Sequence, residues 1–278
     1  MTWNAKVADV AESFEPNQTQ SADLTRRFGG LDRLYGDGAR VALAERAHVM
    51  VVGVGGVGSW AVEALARSGV GELTLVDMDH VAESNVNRQL QATTETLGME
   101  KTRALAQRIA QINPECKVNC VDDFLTPDNA QAMLTAFVGS GKTALYVLDC
   151  CDQFKAKLAM VLVSKRMKLP LLIAGSAGGK SQPWLIQPAD LRDTTNDPLL
   201  AKLRYQLRKD HNFGSKSAKN PKLGIQAFFS PEQIRKAETC QTDAGLNCAG
   251  YGSVVGVTAT MGMQMAAWAV NDLVKRLS

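Results

Sequence analysis

An α/β fold built on a doubly wound, mostly parallel sheet is predicted by three features of the sequence. Apolar runs of strand length alternate with longer segments of helical periodicity, the pattern of β-α-β units with right-handed crossovers. A glycine-rich turn, Gly53-Val54-Gly55-Gly56-Val57-Gly58-Ser59, stands where the first run meets the first helix. Asp77 and Asp149 close two further runs. Ligands of such sheets bind outside the carboxyl ends of the strands, so Gly53, Asp77 and Asp149 should converge on one crevice.

The elements follow in order. Residues 48–52 form an apolar run that stops at glycines, as a strand buried on both faces does. A helix is expected over 59–67, with Trp60, Ala64 and Leu65 toward the core. Residues 73–76 read as a second short strand, 101–112 as a helix stopped by Pro114, and 117–121 and 144–148 as strands. A helix over 154–168 and a strand over 170–174 complete the Rossmann-like alternation. Beyond Pro188 the pattern weakens. Residues 188–230 are polar and read as a basic C-terminal insertion with one helix, 199–209. A closing helix is expected over 252–277. The chain thus divides into a flexible N-terminal extension, 1–24, and a single domain, 25–278, carrying that insertion.

Bulk properties narrow the function. A chain of 278 residues suffices for one large α/β domain. Hydrophobic content of 45% and charged content of 21% are those of a globular protein. A net charge of +3 confines any nucleic-acid footprint to a local patch. The six cysteines form no C-x-x-C pair, which argues against structural zinc and suits reduced, mostly buried thiols in a cytoplasmic protein. The N-terminus lacks the basic and apolar regions of a signal peptide. Residues 249–270 carry no charge and run to about 20 residues, roughly a bilayer's thickness. Their Gly252, Gly256, Thr258, Gly262 and Gln264 fit a closely packed helix better, and no stable membrane insertion is expected. Membrane association through this segment is the minor alternative.

The glycines Gly53, Gly55, Gly56 and Gly58 permit a tight turn and close approach to phosphates. Asp77, about twenty residues on, can accept hydrogen bonds from ribose hydroxyls. Alone, this suits a nicotinamide-dependent dehydrogenase equally well. The stretch Asp77-Met78-Asp79-His80-Val81-Ala82-Glu83-Ser84-Asn85-Val86-Asn87-Arg88-Gln89 breaks the tie. A dehydrogenase does not need Asn85, Arg88 and Gln89 just past the second strand, whereas a triphosphate does. Lys101 supplies a second phosphate cation, and Asp152 can hold Mg²⁺ between phosphate oxygens. Plainer readings compete: Arg88 as a surface ion pair, Lys101 as a solvated helix residue, Asp152 as a helix N-cap, Asp79 as a strand end. Together the residues favour an ATP-binding domain that adenylylates an oxygen and releases pyrophosphate.

With these motifs the chain resembles the ubiquitin-activating-enzyme superfamily, in particular its bacterial ThiF/MoeB/HesA branch. GVGGVGS, DMDHVAESNVNRQ, Lys101 and LDCCDQ carry the likeness, over roughly 25–175. The resemblance implies adenylylation of a carboxylate with MgATP, Asp77 on the ribose, and Asn85, Arg88, Gln89 and Lys101 on the phosphates. It implies Asp152 in metal binding and catalysis, and Arg88, Lys101 and Asp152 as the catalytic set. It further implies a homodimer, with an arginine crossing into the partner's site. Arg27 and Arg33 are the candidates, since the usual Arg-Tyr-x-Arg-Gln pattern is absent. The stretches 26–36, 111–116, 121–124, 196–199 and 222–224 resemble the subgroup that dehydrates threonylcarbamoyladenosine in tRNA. That likeness extends the match over most of the chain from residue 25. A monovalent cation and a cysteine-desulfurase or sulfur-acceptor system are further expectations of this likeness.

The sequence offers a tRNA surface independently. Lys202, Arg204, Arg208, Lys209, Lys216, Lys219 and Lys222 stand against Asp210 alone, with Tyr205, His211 and Phe213 interleaved for stacking. Lys216, Lys219 and Lys222 are the expected phosphate contacts; a solvated insertion is the plainer reading. The rival function is activation of a ubiquitin-like sulfur carrier, with Cys240 or Cys248 as acceptor.

Overall fold

The computed structural model describes residues 22–214, 221–235 and 251–278. Helices α1 (Leu24–Tyr35) and α2 (Ala39–Arg46) lead into β1 (Ala47–Val52), and α3 (Gly56–Arg67) crosses to β2 (Glu72–Val76). Then come α4 (Lys101–Ile112), β3 (Lys117–Val121), α5 (Ala130–Val138), β4 (Ala144–Asp149), α6 (Phe154–Met167) and β5 (Leu171–Ala174). The chain ends with β6 (Gln187–Asp190), α7 (Pro198–Asp210), β7 (Gln226–Phe229) and α8 (Val255–Leu277).

The strands form a seven-stranded sheet in the order β3-β2-β1-β4-β5-β7-β6. All neighbours run parallel except β6, which pairs antiparallel with β7 at the edge. The strand order reverses between β1 and β4, so a crevice opens at their carboxyl ends. Every residue of β1 is buried, which is why Ala-His-Val-Met-Val-Val shows no alternation in sequence. Its side chains nonetheless divide between two cores. Val49 and Val51 pack with Ala61, Val62 and Leu65 of α3 and Met261 and Met265 of α8. Met50 and Val52 pack with Leu134 of α5 and Met160 of α6.

Helix α8 answers the membrane question raised by its composition. A Cβ on Gly262 would overlap the Val57 carbonyl oxygen, so this glycine lets α8 press directly on α3. Val257, Met261, Met265, Ala266, Ala269 and Leu273 of α8 are buried in the same core. Among the described residues no helix is long and apolar enough to cross a membrane.

Several sequence readings need correction. The inner face of α3 is Val57, Ala61, Val62, Leu65 and Ala66; Trp60 is half-buried and donates its indole N–H to the Arg88 carbonyl at 3.1 Å. Residues 188–230 supply more than one helix, because most of β6 and all of β7 lie within them and extend the sheet. Helix α7 buries Leu199, Leu200, Leu203 and Leu207, the anchor that a solvated insertion would lack. Of the four described cysteines, Cys116 and Cys150 pack against one core and Cys151 against the other, all partly buried, while Cys120 departs from the buried reading and is exposed. Most of the expected extension, 1–24, lies outside the described residues, as do Lys216, Lys219, Cys240 and Cys248.

Candidate nucleotide and substrate site

One cavity of about 470 Å³ lies at the carboxyl ends of the parallel strands. Gly53, Gly55 and Gly56 line it, together with Asp77, Asn85, Arg88, Gln89, Lys101 and Asp152. Gly58 lies beneath the turn, where a Cβ would overlap the Gly53 carbonyl oxygen. Gly53 itself has φ +81°, a left-handed conformation that glycine adopts without strain. The turn runs directly into α3, whose first N–H groups and partial positive charge face the cavity.

The charged groups are held by specific partners. Asp77 follows β2; its carboxylate accepts the N–H of Val54 at 2.8 Å and of Asp79 at 2.9 Å. Burial pushes its carboxyl above the usual range, and the Lys101 charge and these N–H groups work against that rise. Lys101 opens α4 and is buried, with Nζ 2.7 Å from Asp79 Oδ2. Asp79 is therefore more than a strand end. Asn85 accepts the Ala82 N–H through Oδ1 at 3.1 Å, which bends the chain after β2 into a short 3₁₀ turn. Arg88, one turn on, donates Nη1 to the Ser84 carbonyl and to Asn87 Oδ1. Asp152 stands exposed on the β4–α6 connection; the N-cap of α6 is Gln153, so the capping reading of Asp152 does not hold.

Asp149 departs from expectation. It ends β4, but it is fully buried, does not line the cavity, and lies 2.8 Å from the equally buried Lys157 of α6. The alternation of side chains along β4 turns it away from the crevice. Lys157 was not singled out from sequence, because a lysine in an amphipathic helix ordinarily reads as solvated. Lys222 is exposed and lies beside Asp190, whose carboxylate accepts the neighbouring Leu223 and Gly224 N–H groups. Arg27 donates Nη1 to the Gln111 and Ile112 carbonyls of its own chain, while Arg33 is exposed on α1.

Sequence reasoning missed the rest of the lining. Phe124 and Leu125 follow β3 and Gly175–Gly178 follow β5; the strand-end rule could have found both. Tyr251 and Ser253, just before α8, and Thr258, in its first turn, come from far along the chain. Thr258 donates its hydroxyl to the Arg88 carbonyl at 3.2 Å, tying α8 to the Asn85–Gln89 turn. The lining thus combines apolar side chains after β3, Phe124 and Leu125, with Gly175, Ser176, Gly178, Tyr251 and Ser253 from after β5 and before α8, alongside Asp77, Arg88, Lys101 and the glycine turn. Two cations, helix-terminal N–H groups and two exposed carboxylates, Asp152 and the Asp79 paired with Lys101, suit a nucleoside triphosphate with a metal ion held largely by phosphate oxygens.

A fold with this switch-point cavity and cation set defines a nucleotide-dependent adenylylating enzyme, and the chain belongs to the ThiF family, which it matches over residues 33–277. Among its relatives is the tRNA threonylcarbamoyladenosine dehydratase of Haemophilus influenzae. It is 44% identical over 259 residues, covering 91% of this chain and 95% of the relative. The Escherichia coli tRNA N6-threonylcarbamoyladenosine dehydratase in complex with AMP superposes with a TM-score of 0.80 at 40% identity, covering 93% of this chain and 98% of that one. Its complex with ATP superposes with a TM-score of 0.78 at the same identity and coverage.

Proposed function

We propose that this protein is an ATP-dependent dehydratase that cyclises N6-threonylcarbamoyladenosine in tRNA. The observation that carries the proposal is the convergence of Gly53, Gly55, Gly56, Asp77, Asn85, Arg88, Gln89, Lys101 and Asp152 on one cavity. The similarity to dehydratases over more than nine-tenths of the chain supports the substrate.

The reaction runs in two steps. The threonyl carboxylate attacks the α-phosphorus of ATP, forming an acyl-AMP and releasing pyrophosphate. The ureido group then attacks the acyl carbon, loses a proton, closes the ring and expels AMP. The substrate has lost one water, whose oxygen leaves in AMP. Activation is needed because a carboxylate oxygen leaves poorly, and ring closure profits from the high effective molarity of an intramolecular attack. Asp77 accepts hydrogen bonds from the ribose, and the glycine turn and α3 N-terminus cradle phosphate oxygens. Asn85, Gln89, Arg88 and Lys101 bind the phosphates, and the two cations stabilise charge on the leaving pyrophosphate. Asp152 and phosphate oxygens would hold Mg²⁺, which supplies charge neutralisation at the α-phosphate. The modified nucleoside enters beside Gly175–Gly178 and Tyr251.

The same reading includes a homodimer, a monovalent cation, a cytoplasmic location without stable membrane insertion, and Lys216, Lys219 and Lys222 on the tRNA backbone. AMP release from MgATP tests the reaction, with tRNA carrying threonylcarbamoyladenosine, the same tRNA unmodified, and a ubiquitin-like sulfur carrier as substrates. We expect AMP only with the modified tRNA, and loss of one water from its nucleoside by mass spectrometry. Pyrophosphate exchange only with the carrier protein would replace the substrate.

A further inference from the structure

Lys157 is fully buried, yet no step of the chemistry above touches it. Its Nζ lies 2.8 Å from Asp149 Oδ2, also fully buried. Burial opposes a charge on the amine, but the Asp149 carboxylate outweighs it and keeps the ammonium protonated. The other carboxylate oxygen, Oδ1, accepts the Cys151 N–H at 3.2 Å and the Cys151 thiol at 3.0 Å. On the opposite side the Cys150 N–H is bonded to the Val52 carbonyl at 2.9 Å. A Cβ on Gly53 would lie 3.0 Å from Cys151 Cα, so the phosphate turn and this connection are in direct contact. Residues 150 and 151 are therefore clamped between the glycine turn and the ion pair, and Asp152 is the next residue along.

We propose that Lys157, acting through Asp149, is a positioning residue for adenylylation: the pair fixes the β4–α6 connection so that Asp152 faces the phosphates. The inference rests on the role given to Asp152 above. A buried ion pair is a poor way to gain stability, since an apolar pair of similar volume often does as well. What an apolar pair could not supply is a carboxylate with one oxygen fixed by an ammonium and the other left to accept the Cys151 N–H.

The test compares Lys157→Arg, Lys157→Met and the double variant Asp149→Asn/Lys157→Met in the full-length protein, well below each melting temperature. ATP affinity is measured by equilibrium dialysis, and AMP formation with modified tRNA by single-turnover kinetics. We expect ATP affinity near wild type in all three. The AMP-forming rate should fall roughly tenfold to a hundredfold in Lys157→Met and recover substantially in Lys157→Arg. The double variant leaves no buried charge and decides the matter if Lys157→Met does not fold; its rate should stay low. A folded variant without the ion pair that turns over at the wild-type rate overturns the inference. Asp152→Asn in the parent separates the two claims: full activity there refutes the role of Asp152 itself. A slow Asp152→Asn beside a normal double variant refutes only the positioning by Lys157.

Discussion

Arg88 and Lys101, the two cations proposed to bind the triphosphate, stand in different states before it arrives. Arg88 is held in place by a carbonyl and an amide oxygen, which orient its guanidinium without neutralising it. Lys101 is paired with Asp79. We expect Arg88→Ala and Lys101→Ala each to lower kcat/KM by about 10²–10³-fold, the usual effect of deleting one group that stabilises developing charge. Melting temperatures, followed by circular dichroism, should change little for Arg88→Ala, since its side chain is only half-buried. Full activity in both variants would displace the phosphates from this part of the cavity. Lys101→Arg should restore little, because a planar fork does not replace a compact ammonium in a buried place.

At the scale of elements, the nucleotide-binding half was legible because each piece carries its own periodicity and punctuation. α4 and β3 have the bounds that the sequence indicates, and β1, β2, β4, β5 and α6 differ by a residue or so at their ends. α1, α2 and α5 carried no readable signal. α1 contains Gly29 and Gly30, poor helix formers in an interior, and α2 is only eight residues long. β6 and β7 are four residues each, and Pro188 in β6 argues against a strand unless it lies at an edge, where the fold places it. The convergence of Gly53 and Asp77 followed from the strand-end rule, which misplaced Asp149, whereas Thr258 and Tyr251 depend on how α8 folds back, which no local pattern encodes. Asp197 links two elements: it caps α7 by accepting the Leu200 N–H at 3.0 Å and accepts the Ser176 N–H at 2.7 Å. Asp197→Ala should cost about 1–2 kcal/mol of stability. It should also raise KM for modified tRNA while leaving ATP affinity unchanged. An unchanged KM would detach the Gly175–Gly178 segment from substrate recognition. Gly262→Leu should destabilise the α3–α8 contact by about 3 kcal/mol, read as a lower midpoint in urea.

For the molecule as a whole, acid stability should report on His48. Burial drives its pKa from 6.5 down to about 4, with Glu72 opposing and Lys117 and Lys142 assisting the fall. The folded state thus binds this proton less readily than the unfolded chain. Stability from this group is full above about pH 6.5 and is lost as pH falls toward 4, at up to roughly 1.4 kcal/mol per pH unit. His48→Gln should flatten the melting temperature between pH 6.5 and 4.5; an unchanged slope would assign acid lability elsewhere. Neutralising Lys216, Lys219 and Lys222 together should weaken tRNA binding and reduce its salt slope by up to about three ion equivalents. Unchanged affinity in a filter-binding titration would place the tRNA on another face.

The pairing of Lys101 with Asp79 sets a carboxylate against any phosphate that this lysine is proposed to bind. On that proposal, each arriving triphosphate would take the ammonium away from Asp79, and each departing pyrophosphate would return it. Asp79 would then ease product exit at some expense of grip. Asp79→Asn should bind ATP more tightly yet release pyrophosphate more slowly, so that the tighter binder is the slower catalyst in steady state. Faster turnover in that variant would mean that pyrophosphate departure does not limit the cycle.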